Sequence, residues 1–210
     1  MKMHYDILIA TIGTSMSNGY VESLTKTLQE LSNREITYRW LNSSGSLDHN
    51  ARESAITGNG LVLSPNDKGP LGDNCTYNKL FWINNNISWE FKNFLKLYDA
   101  SEPVITGAYL QNDGVTSNAK QFTGSYYAKE HITQLKNSNK KVKIATTKFG
   151  FIAIKSGIYE RIDRPWHVVF PGFETEEDSW CFKVRNVGID ITLDPTVLVS
   201  NLIDKEIKWK

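Results

Sequence analysis

The chain has 210 residues, a length typical of one compact domain, so the sequence predicts a single domain over residues 1–210. Hydrophobic residues make up 40% of the chain and charged residues 22%, which provides a core and excludes a disordered chain. With 24 basic and 23 acidic residues the net charge is +1, so composition predicts no nucleic acid and no anionic membrane as partner.

The first third of the chain has the pattern of a strand, a helix and a second strand. Residues 5–10 are apolar and strand-like and end at the polar segment 11–15. A helix follows, with Ser17 as candidate N-cap and Asn33 as its stop, before a second strand pattern over residues 36–41. Its apolar stripe is Val21, Leu24, Leu28 and Leu31. Such a unit builds a parallel sheet that helices cover.

The middle of the chain continues the alternation. The pattern predicts a short helix over residues 46–57 and a long loop over residues 60–76, which is rich in Gly and Pro. A strand over residues 79–83 stops at three consecutive asparagines. A helix over residues 90–98 and a strand over residues 103–110 come next.

The last part of the chain begins with a polar segment, residues 111–141, that has no clear period. The predicted elements after it are strands over residues 142–146 and 149–154, a short helix near 157–162, a helix over 175–187 and a strand over 190–193. Alternating strands and helices predict the α/β class: a Rossmann-like domain with a central, mostly parallel sheet flanked by helices.

Three predicted strands end in small or polar residues, at segments 11–15, 84–86 and 106–111. In open α/β sheets, ligands bind beyond the carboxyl ends of the strands. The sequence therefore predicts a cleft for a polar ligand at that edge of the sheet.

The two cysteines, Cys75 and Cys181, lie far apart in sequence, which argues against a disulfide scaffold or a multi-cysteine zinc site. No apolar run approaches the roughly 18 residues of a membrane span, and the run at residues 7–10 is too short for a signal peptide. We therefore expect a soluble cytoplasmic protein. Nothing in the sequence specifies an oligomeric state.

Five groups of segments, in this order, resemble the nucleotide-sugar glycosyltransferases of the GT-A fold. They are Asp-Ile-Leu-Ile-Ala-Thr at 6–11, Ala-Arg-Glu at 51–53, Leu-Phe-Trp-Ile-Asn-Asn-Asn-Ile-Ser at 80–88, Gly-Phe-Ile-Ala-Ile-Lys at 150–155 with Arg-Pro-Trp at 164–166, and Glu-Glu-Asp-Ser-Trp-Cys-Phe at 176–182 with residues 188–191 and 193–195. The likeness extends from Tyr5 to about Asn201, with residues 60–76 and 111–141 outside it.

The resemblance implies transfer of a sugar from a nucleoside diphosphate sugar to a hydroxyl acceptor such as a glycan. In that family Mn²⁺ or Mg²⁺ bridges the diphosphate to an Asp-x-Asp motif, and a late carboxylate acts as general base. Position by position, it places Thr11 and Gly13 beside the nucleotide and Arg52 near the nucleotide or diphosphate. It makes Asp178 the base, with Glu177 as its nearest rival.

The chain departs from that family at the metal site. Asn84, Asn85 and Asn86 stand where the family has Asp-x-Asp, and Asn201 stands where it often has a histidine. Amide oxygens can coordinate a hard cation, but they are neutral, so we expect a weakened metal site at Asn84, Asn86 and Asn201. The resemblance also predicts that the asparagine turn, residues 84–86, and the late carboxylate pair, Glu177 and Asp178, face each other across one cleft.

Three explanations of the asparagines stay open. The chain is an active transferase with weak or absent metal dependence, whose diphosphate is neutralised by cations such as Arg52, Lys148 or Lys155. It is a catalytically degenerate relative that binds a nucleotide or a glycan. Or the asparagines reflect compositional drift, since the chain has 18 Asn against 11 Asp.

Two other enzyme classes fit the sequence less well, and two of the motifs also have a purely structural explanation. A dinucleotide-dependent oxidoreductase needs a Gly-x-Gly-x-x-Gly turn after the first strand, where only Gly13 is present. A sugar nucleotidyltransferase has a first loop richer in glycine and with a basic residue, which residues 12–15 lack. Taken alone, residues 84–86 are typical of a strand-ending turn, and the acids at 174–178 of a helix start.

Several aromatic residues are candidates for contacts with a sugar. Trp82 lies within a strand and is predicted to be core. Trp89, Trp166 and Trp180 are candidates for stacking on a sugar ring, and His167 for the acceptor side.

Overall fold

The structure, a computed structural model, describes residues 3–45, 47–57, 69–72, 75–202 and 206–207. The strands are β1 (Met3–Ile12), β2 (Tyr38–Ser43), β3 (Cys75–Ile83), β4 (Ile87–Ser88), β5 (Val104–Ala108), β6 (Thr116–Lys120), β7 (Tyr126–Ala128), β8 (Val142–Ile144), β9 (Thr146–Thr147), β10 (Phe151–Lys155), β11 (Ile191–Leu198), β12 (Ser200–Leu202) and β13 (Glu206–Ile207). The helices are α1 (Asn18–Asn33), α2 (Asp48–Thr57), α3 (Phe91–Asp99), α4 (Lys129–Asn137) and α5 (Glu176–Asn186), with a 3₁₀ turn at Tyr159–Arg161.

Seven strands form the central sheet, in the order β2-β1-β3-β10-β5-β11-β8. Strands β2, β1, β3, β5 and β11 run in one direction, and β10 and β8 run against them. The predicted α/β class with a central, mostly parallel sheet is confirmed. The parallel strands have their carboxyl ends at one edge, and the segment that leads into antiparallel β10 reaches the same edge.

Helices cover both faces of this sheet. Ile7 and Ile9 of β1 pack in the core under α1 and α3, whereas Leu8 and Ala10 pack in the core under α2, α4 and α5. Successive strand residues point to opposite faces, so a strand buried on both sides is apolar at every position. This explains the uninterrupted apolar run at residues 7–10.

Helix α1 begins where the sequence predicts, because the Ser17 Oγ accepts a hydrogen bond from the Tyr20 amide at 3.2 Å. The predicted apolar stripe is wrong at Val21, which is 47% exposed. Tyr20 takes the sheet-facing position instead and is fully buried. Its hydroxyl has a polar partner on the sheet, so a tyrosine can occupy this core position.

The polar segment at residues 111–141 contains the hairpin β6–β7 and helix α4, and β9 joins the hairpin in a small sheet of order β7-β6-β9. The predicted helix near residues 157–162 is a 3₁₀ turn, and the last predicted strand continues as β11 through Pro195. Most of the loop predicted at 60–76 lies outside the described residues. Among the helices that the structure describes, none has both the length and the apolar character needed to cross a bilayer.

Candidate functional site

A cleft of about 580 Å³ opens at the carboxyl edge of the central sheet, within the size range of small-ligand sites. Its walls come from the segments after β3 and β5, from β12, from the segment before β10 and from the first turn of α5. Most of the lining is polar. The lining residues are Asp48, Asn84, Asn86, Ile87, Tyr109, Gln111, Asn112, Asp113, Lys148, Thr175, Glu176, Glu177 and Asn201.

The three asparagines form the turn that leaves β3. The Asn84 amide donates to the Gly150 carbonyl at 3.1 Å, which fixes the turn against the start of β10. Asn84 and Asn86 line the cleft. Asn85 does not, because its Nδ2 donates to the Ser15 carbonyl at 2.6 Å on the loop after β1. The turn therefore supplies two of its three predicted contacts to the cleft.

Arg52 of α2 joins this turn to α5 from beneath the cleft. Its Nε donates to Glu176 Oε1 at 3.2 Å, and its Nη2 donates to Asn84 Oδ1 at 3.2 Å and to Glu177 Oε1 at 3.3 Å. Arg52 is only 1% exposed and does not line the cleft. The predicted contact of Arg52 with a diphosphate therefore does not fit this arrangement, and Arg52 instead holds two cleft walls together.

Two aromatic rings lie beside the guanidinium of Arg52. Its Cζ lies 5.2 Å from the ring centroid of Trp82 and 5.3 Å from that of Phe149. Cation–π contacts strengthen when water is excluded, as it is here. The two rings and the two carboxylates fix the charge of Arg52 in one place.

The first turn of α5 carries three consecutive carboxylates. The N-cap Thr175 accepts a hydrogen bond from the Asp178 amide at 3.2 Å, and the positive end of the helix dipole stabilises the carboxylates around it. Consecutive helical side chains point about 100° apart, so the three separate. Glu176 and Glu177 line the cleft, whereas Asp178 lines a second cavity.

Glu176 and Glu177 differ in how they are held. Glu177 Oε1 accepts from Arg52 and from the Phe149 amide at 3.4 Å, and its Oε2 accepts from Lys148 Nζ at 3.4 Å. Glu176 accepts from Arg52 through Oε1, and no donor from the described part of the chain bonds to its Oε2. Glu176 therefore keeps one oxygen for a ligand, although the sequence did not single it out.

Asp178 is held by a lysine outside the cleft. Its Oδ2 lies 3.0 Å from Lys120 Nζ. Burial raises the pKa of Asp178, but the hydrogen bonds from Thr146 and Lys120 outweigh it and leave the pKa below its usual value. The expectation that the asparagine turn faces the late carboxylate pair therefore holds for Glu177, which lines the cleft with Asn86, and is wrong for Asp178.

The two residues predicted beside the nucleotide, Thr11 and Gly13, do not line the cleft. Thr11 is fully buried and its hydroxyl bonds to that of Tyr20, so it connects β1 to α1. Gly13 has φ +127°, and a Cβ there would lie 2.4 Å from the Nδ2 of Asn85. Glycine is therefore required at position 13 by the backbone conformation, and its small size also leaves room for the Asn85 side chain.

The residues predicted to bind a metal do not fit one. Asn84 Oδ1 accepts from the Arg52 guanidinium, which also places a positive charge beside it. Asn86 Nδ2 donates to Asn201 Oδ1 at 2.9 Å, and Asn201 Nδ2 donates to the Leu110 carbonyl at 3.1 Å. Two of the three amide oxygens are thus already used. Within the described ranges, no group of three His, Cys, Asp or Glu could hold a metal either.

Because of these contacts, an aspartate at each of the three asparagine positions should affect the affinity for a metal ion differently. We expect Asn86→Asp to increase the affinity for Mn²⁺ by about tenfold, since one charged ligand is added at the cleft wall. We expect Asn84→Asp to leave it unchanged, because Arg52 binds that position. Asn85→Asp is the matched control, since its side chain points to Ser15. Isothermal titration with MnCl₂ measures all three, and equal gains at positions 84 and 86 would contradict the assignment.

Only one of the three cations suggested for the diphosphate, Lys148, lines the cleft. Lys155 lies at the other end of β10, where its Nζ donates to the Ser101 carbonyl at 2.6 Å. The predicted strand end at residues 106–111 supplies Tyr109 and Gln111 to the cleft. Asn112 and Asp113, which follow it and also line the cleft, are not among the predicted residues.

The tryptophans proposed as sugar platforms are all in the core. Trp166 and Trp180 are fully buried and Trp89 is 6% exposed, and none of them lines the cleft. The predicted core position of Trp82 is confirmed. His167 is 2% exposed, and its Nε2 lies 3.1 Å from the hydroxyl of Tyr159. His167 belongs to the core below the cleft.

Burial of His167 predicts a dependence of stability on pH. Burial lowers the pKa of His167 well below 6.5, and the charges of Arg52 and Lys183 lower it further. The unfolded chain therefore binds a proton at this residue that the folded chain does not. We expect the free energy of unfolding to fall by about 1.4 kcal/mol per pH unit below pH 6.5.

Urea denaturation at several pH values checks this expectation. His167→Gln should remove the slope between pH 6.5 and 5, whereas His131→Gln, on the exposed side of α4, should retain it. A wild-type slope that survives His167→Gln would assign the effect to another group.

Neither a protein-family model nor a curated protein matches the chain. Among solved structures, the chain is similar to the crystal structure of A197 from STIV. The two superpose with a TM-score of 0.60 over 97% of this chain and 87% of A197, at 13% sequence identity. At this identity the likeness concerns the fold, and it agrees with the α/β architecture described above.

Proposed function

We propose that the cleft binds a nucleoside diphosphate sugar and that the protein transfers the sugar to a hydroxyl acceptor such as a glycan. The observation that carries the proposal is the position of the asparagine turn, which faces Glu176 and Glu177 across a polar cleft. This cleft lies at the carboxyl ends of parallel strands, where α/β sheets bind ligands. Amides and carboxylates together provide both donors and acceptors for sugar hydroxyls.

We infer that transfer does not depend on a resident metal, since two of the three amide oxygens expected to hold one are already hydrogen-bonded. Arg52 and Lys148 balance the charges of Glu176 and Glu177 on the inner wall. Among the described residues that line the cleft, Lys148 is the only cation, and its side chain is 22% exposed. We assign Lys148 to the diphosphate, because an ammonium group on a flexible stem binds phosphate as a point charge.

The same geometry supports Glu176 as the general base. A general base must reach the acceptor hydroxyl within hydrogen-bond distance, so it must line the cleft. Asp178 does not, and both oxygens of Glu177 are occupied by donors. Glu176 lines the cleft with one oxygen that no described donor binds.

The misfit of the metal ligands favours a second candidate function, which is binding of a nucleotide or glycan without turnover. The oxygens of Asn84 and Asn201 are bound to Arg52 and Asn86. A chain that had lost catalysis could keep these contacts and still bind a ligand in the same cleft.

Titration with UDP and GDP, with and without Mn²⁺, combined with a hydrolysis and transfer assay on their sugar derivatives, separates the two. We expect binding that does not require Mn²⁺ and weakens about tenfold in Lys148→Gln. Lys155→Gln, at the opposite end of β10, is the matched control. Tight binding with no turnover of any donor supports the binding function. If neither nucleotide binds, the sugar-nucleotide proposal fails.

A further inference from the structure

A second cavity, of about 310 Å³, lies between the small sheet β7-β6-β9 and α5. Its described lining shares no residue with that of the cleft. Two features of its wall point to a ligand. One is the pair of aromatic rings of Phe122 and Phe173, and the other is the guanidinium of Arg185.

Phe122 lies in the turn between β6 and β7 and is 64% exposed. The guanidinium of Arg185 covers it, with the Arg185 Cζ 5.6 Å from the ring centroid. Phe173, also on the cavity wall, packs on Phe182 with ring centroids 5.1 Å apart. Exposed apolar groups that cluster at a cavity are a common mark of a binding surface.

Arg185 is a cation without a counter-ion among the residues that the structure describes. No ion pair or hydrogen bond joins its guanidinium to another described residue, and its Nε is buried without an acceptor. The Cζ of Arg185 lies 5.6 Å from the ring centroid of Phe122, and its terminal N–H groups have no acceptor among the described residues. A carboxylate matches such a guanidinium, because it can accept two parallel hydrogen bonds.

The carboxylates of the cavity do not neutralise Arg185. Lys120 Nζ lies 3.0 Å from Asp178 Oδ2 and 3.3 Å from Glu174 Oε2, so both acids are paired with the lysine. Asp178 and Arg185 are two turns apart on α5, a rise of about 10 Å. The contact of Asp178 with Lys120 offsets its negative charge, which weakens its repulsion of an anion at Arg185.

We propose that this second cavity binds a carboxylate attached to a six-membered ring. Arg185 binds the carboxylate through its N–H edge, and Phe122 and Phe173 contact the ring. An aromatic acid and a sugar acid share this chemistry, since both combine a carboxylate with a ring face. The volume suits a ligand of one ring with its substituents. The inference does not depend on the function proposed for the cleft.

Isothermal titration of the full chain tests it with four small molecules: benzoate, D-glucuronate, acetate and benzyl alcohol. Acetate has the carboxylate without the ring, and benzyl alcohol has the ring without the charge. We expect saturable binding of benzoate, D-glucuronate or both, about tenfold tighter than that of acetate or benzyl alcohol. The comparison of benzoate with D-glucuronate identifies the kind of ring.

Two variants locate the binding. Arg185→Gln should weaken it about tenfold or more, and Phe122→Ala should weaken it while leaving the fold intact, since Phe122 is mostly exposed. Arg39→Gln is the matched control, because Arg39 also stacks on a ring, that of Tyr5, on another surface. The proposal is overturned if neither acid with a ring saturates, if acetate binds as tightly, or if Arg185→Gln binds like the wild type.

Discussion

Replacement of Arg52 by methionine should lower the free energy of unfolding by about 3–5 kcal/mol. The reason is the pair of carboxylates that it leaves behind. The side chains of Glu176 and Glu177 are only about 10% exposed, and Arg52 contacts both. Without the guanidinium, Lys148, which contacts Glu177, is the one cation among the described residues that pairs with either of these two buried carboxylates. The expected loss is large against the 5–15 kcal/mol that stabilises a typical domain.

Urea denaturation at neutral pH measures this effect. Arg39→Met is the matched control, because Arg39 stacks on Tyr5 and forms no ion pair with another described residue, so we expect a loss below about 1 kcal/mol. Adding Glu176→Gln and Glu177→Gln to Arg52→Met should recover much of the stability, since it removes the unpaired charges. A loss below about 1 kcal/mol in Arg52→Met would show that the ion pairs do not hold the cleft walls together.

Replacement of Glu176 by glutamine should lower the rate of sugar transfer by a factor of about 10² to 10⁴, the usual contribution of a general base. This expectation rests on the proposed function. Glutamine keeps the shape of the side chain and an oxygen for Arg52, so the affinity for the nucleotide should stay within about twofold. Rates with the preferred donor and calorimetry with its nucleotide measure the two quantities.

Neighbouring variants separate the three carboxylates of α5. Asp178→Asn is the matched control and should transfer sugar at nearly the wild-type rate, because Asp178 lies in the second cavity. Glu177→Gln should weaken nucleotide binding as well as the rate, since Glu177 positions Lys148. If Asp178→Asn lost the activity and Glu176→Gln kept it, the base would be Asp178, as the family resemblance implies.

Parts of the fold could be predicted from the sequence, namely those where the pattern of buried residues and the residues at the turns indicate the same element. Residues 7–10 are apolar throughout because both sheet faces are covered, and the Ser17 cap marks the start of α1. The sequence was insufficient for the hairpin β6–β7. There the three residues of β7 are all half-buried, so no alternation between apolar and polar residues distinguishes the strand from a loop.

Some parts of the candidate site could likewise be predicted from the sequence, and others could not. The position of Asn84 and Asn86 at the cleft could be predicted, because they directly follow a buried strand that ends at the ligand-binding edge. The choice among three consecutive acids on α5 could not, since a rotation of about 100° per residue decides which cavity each one faces. The role of Thr11 was also beyond the sequence, because it depends on a partner, Tyr20, that only the fold brings close.

The contact between Gly13 and Asn85 affects how mutations near the cleft should be interpreted. A side chain at Gly13 would be strained at a φ of +127° and would meet the side-chain amide of Asn85, so the first loop or the turn that carries Asn84 and Asn86 would have to shift. A variant at Gly13 could therefore lose its ligand although no atom of residue 13 lines the cleft. Loss of binding in such a variant would result from a shift of the cleft wall and not from a lost contact with the ligand. Scanning mutagenesis alone would therefore misidentify the first loop as part of the binding surface.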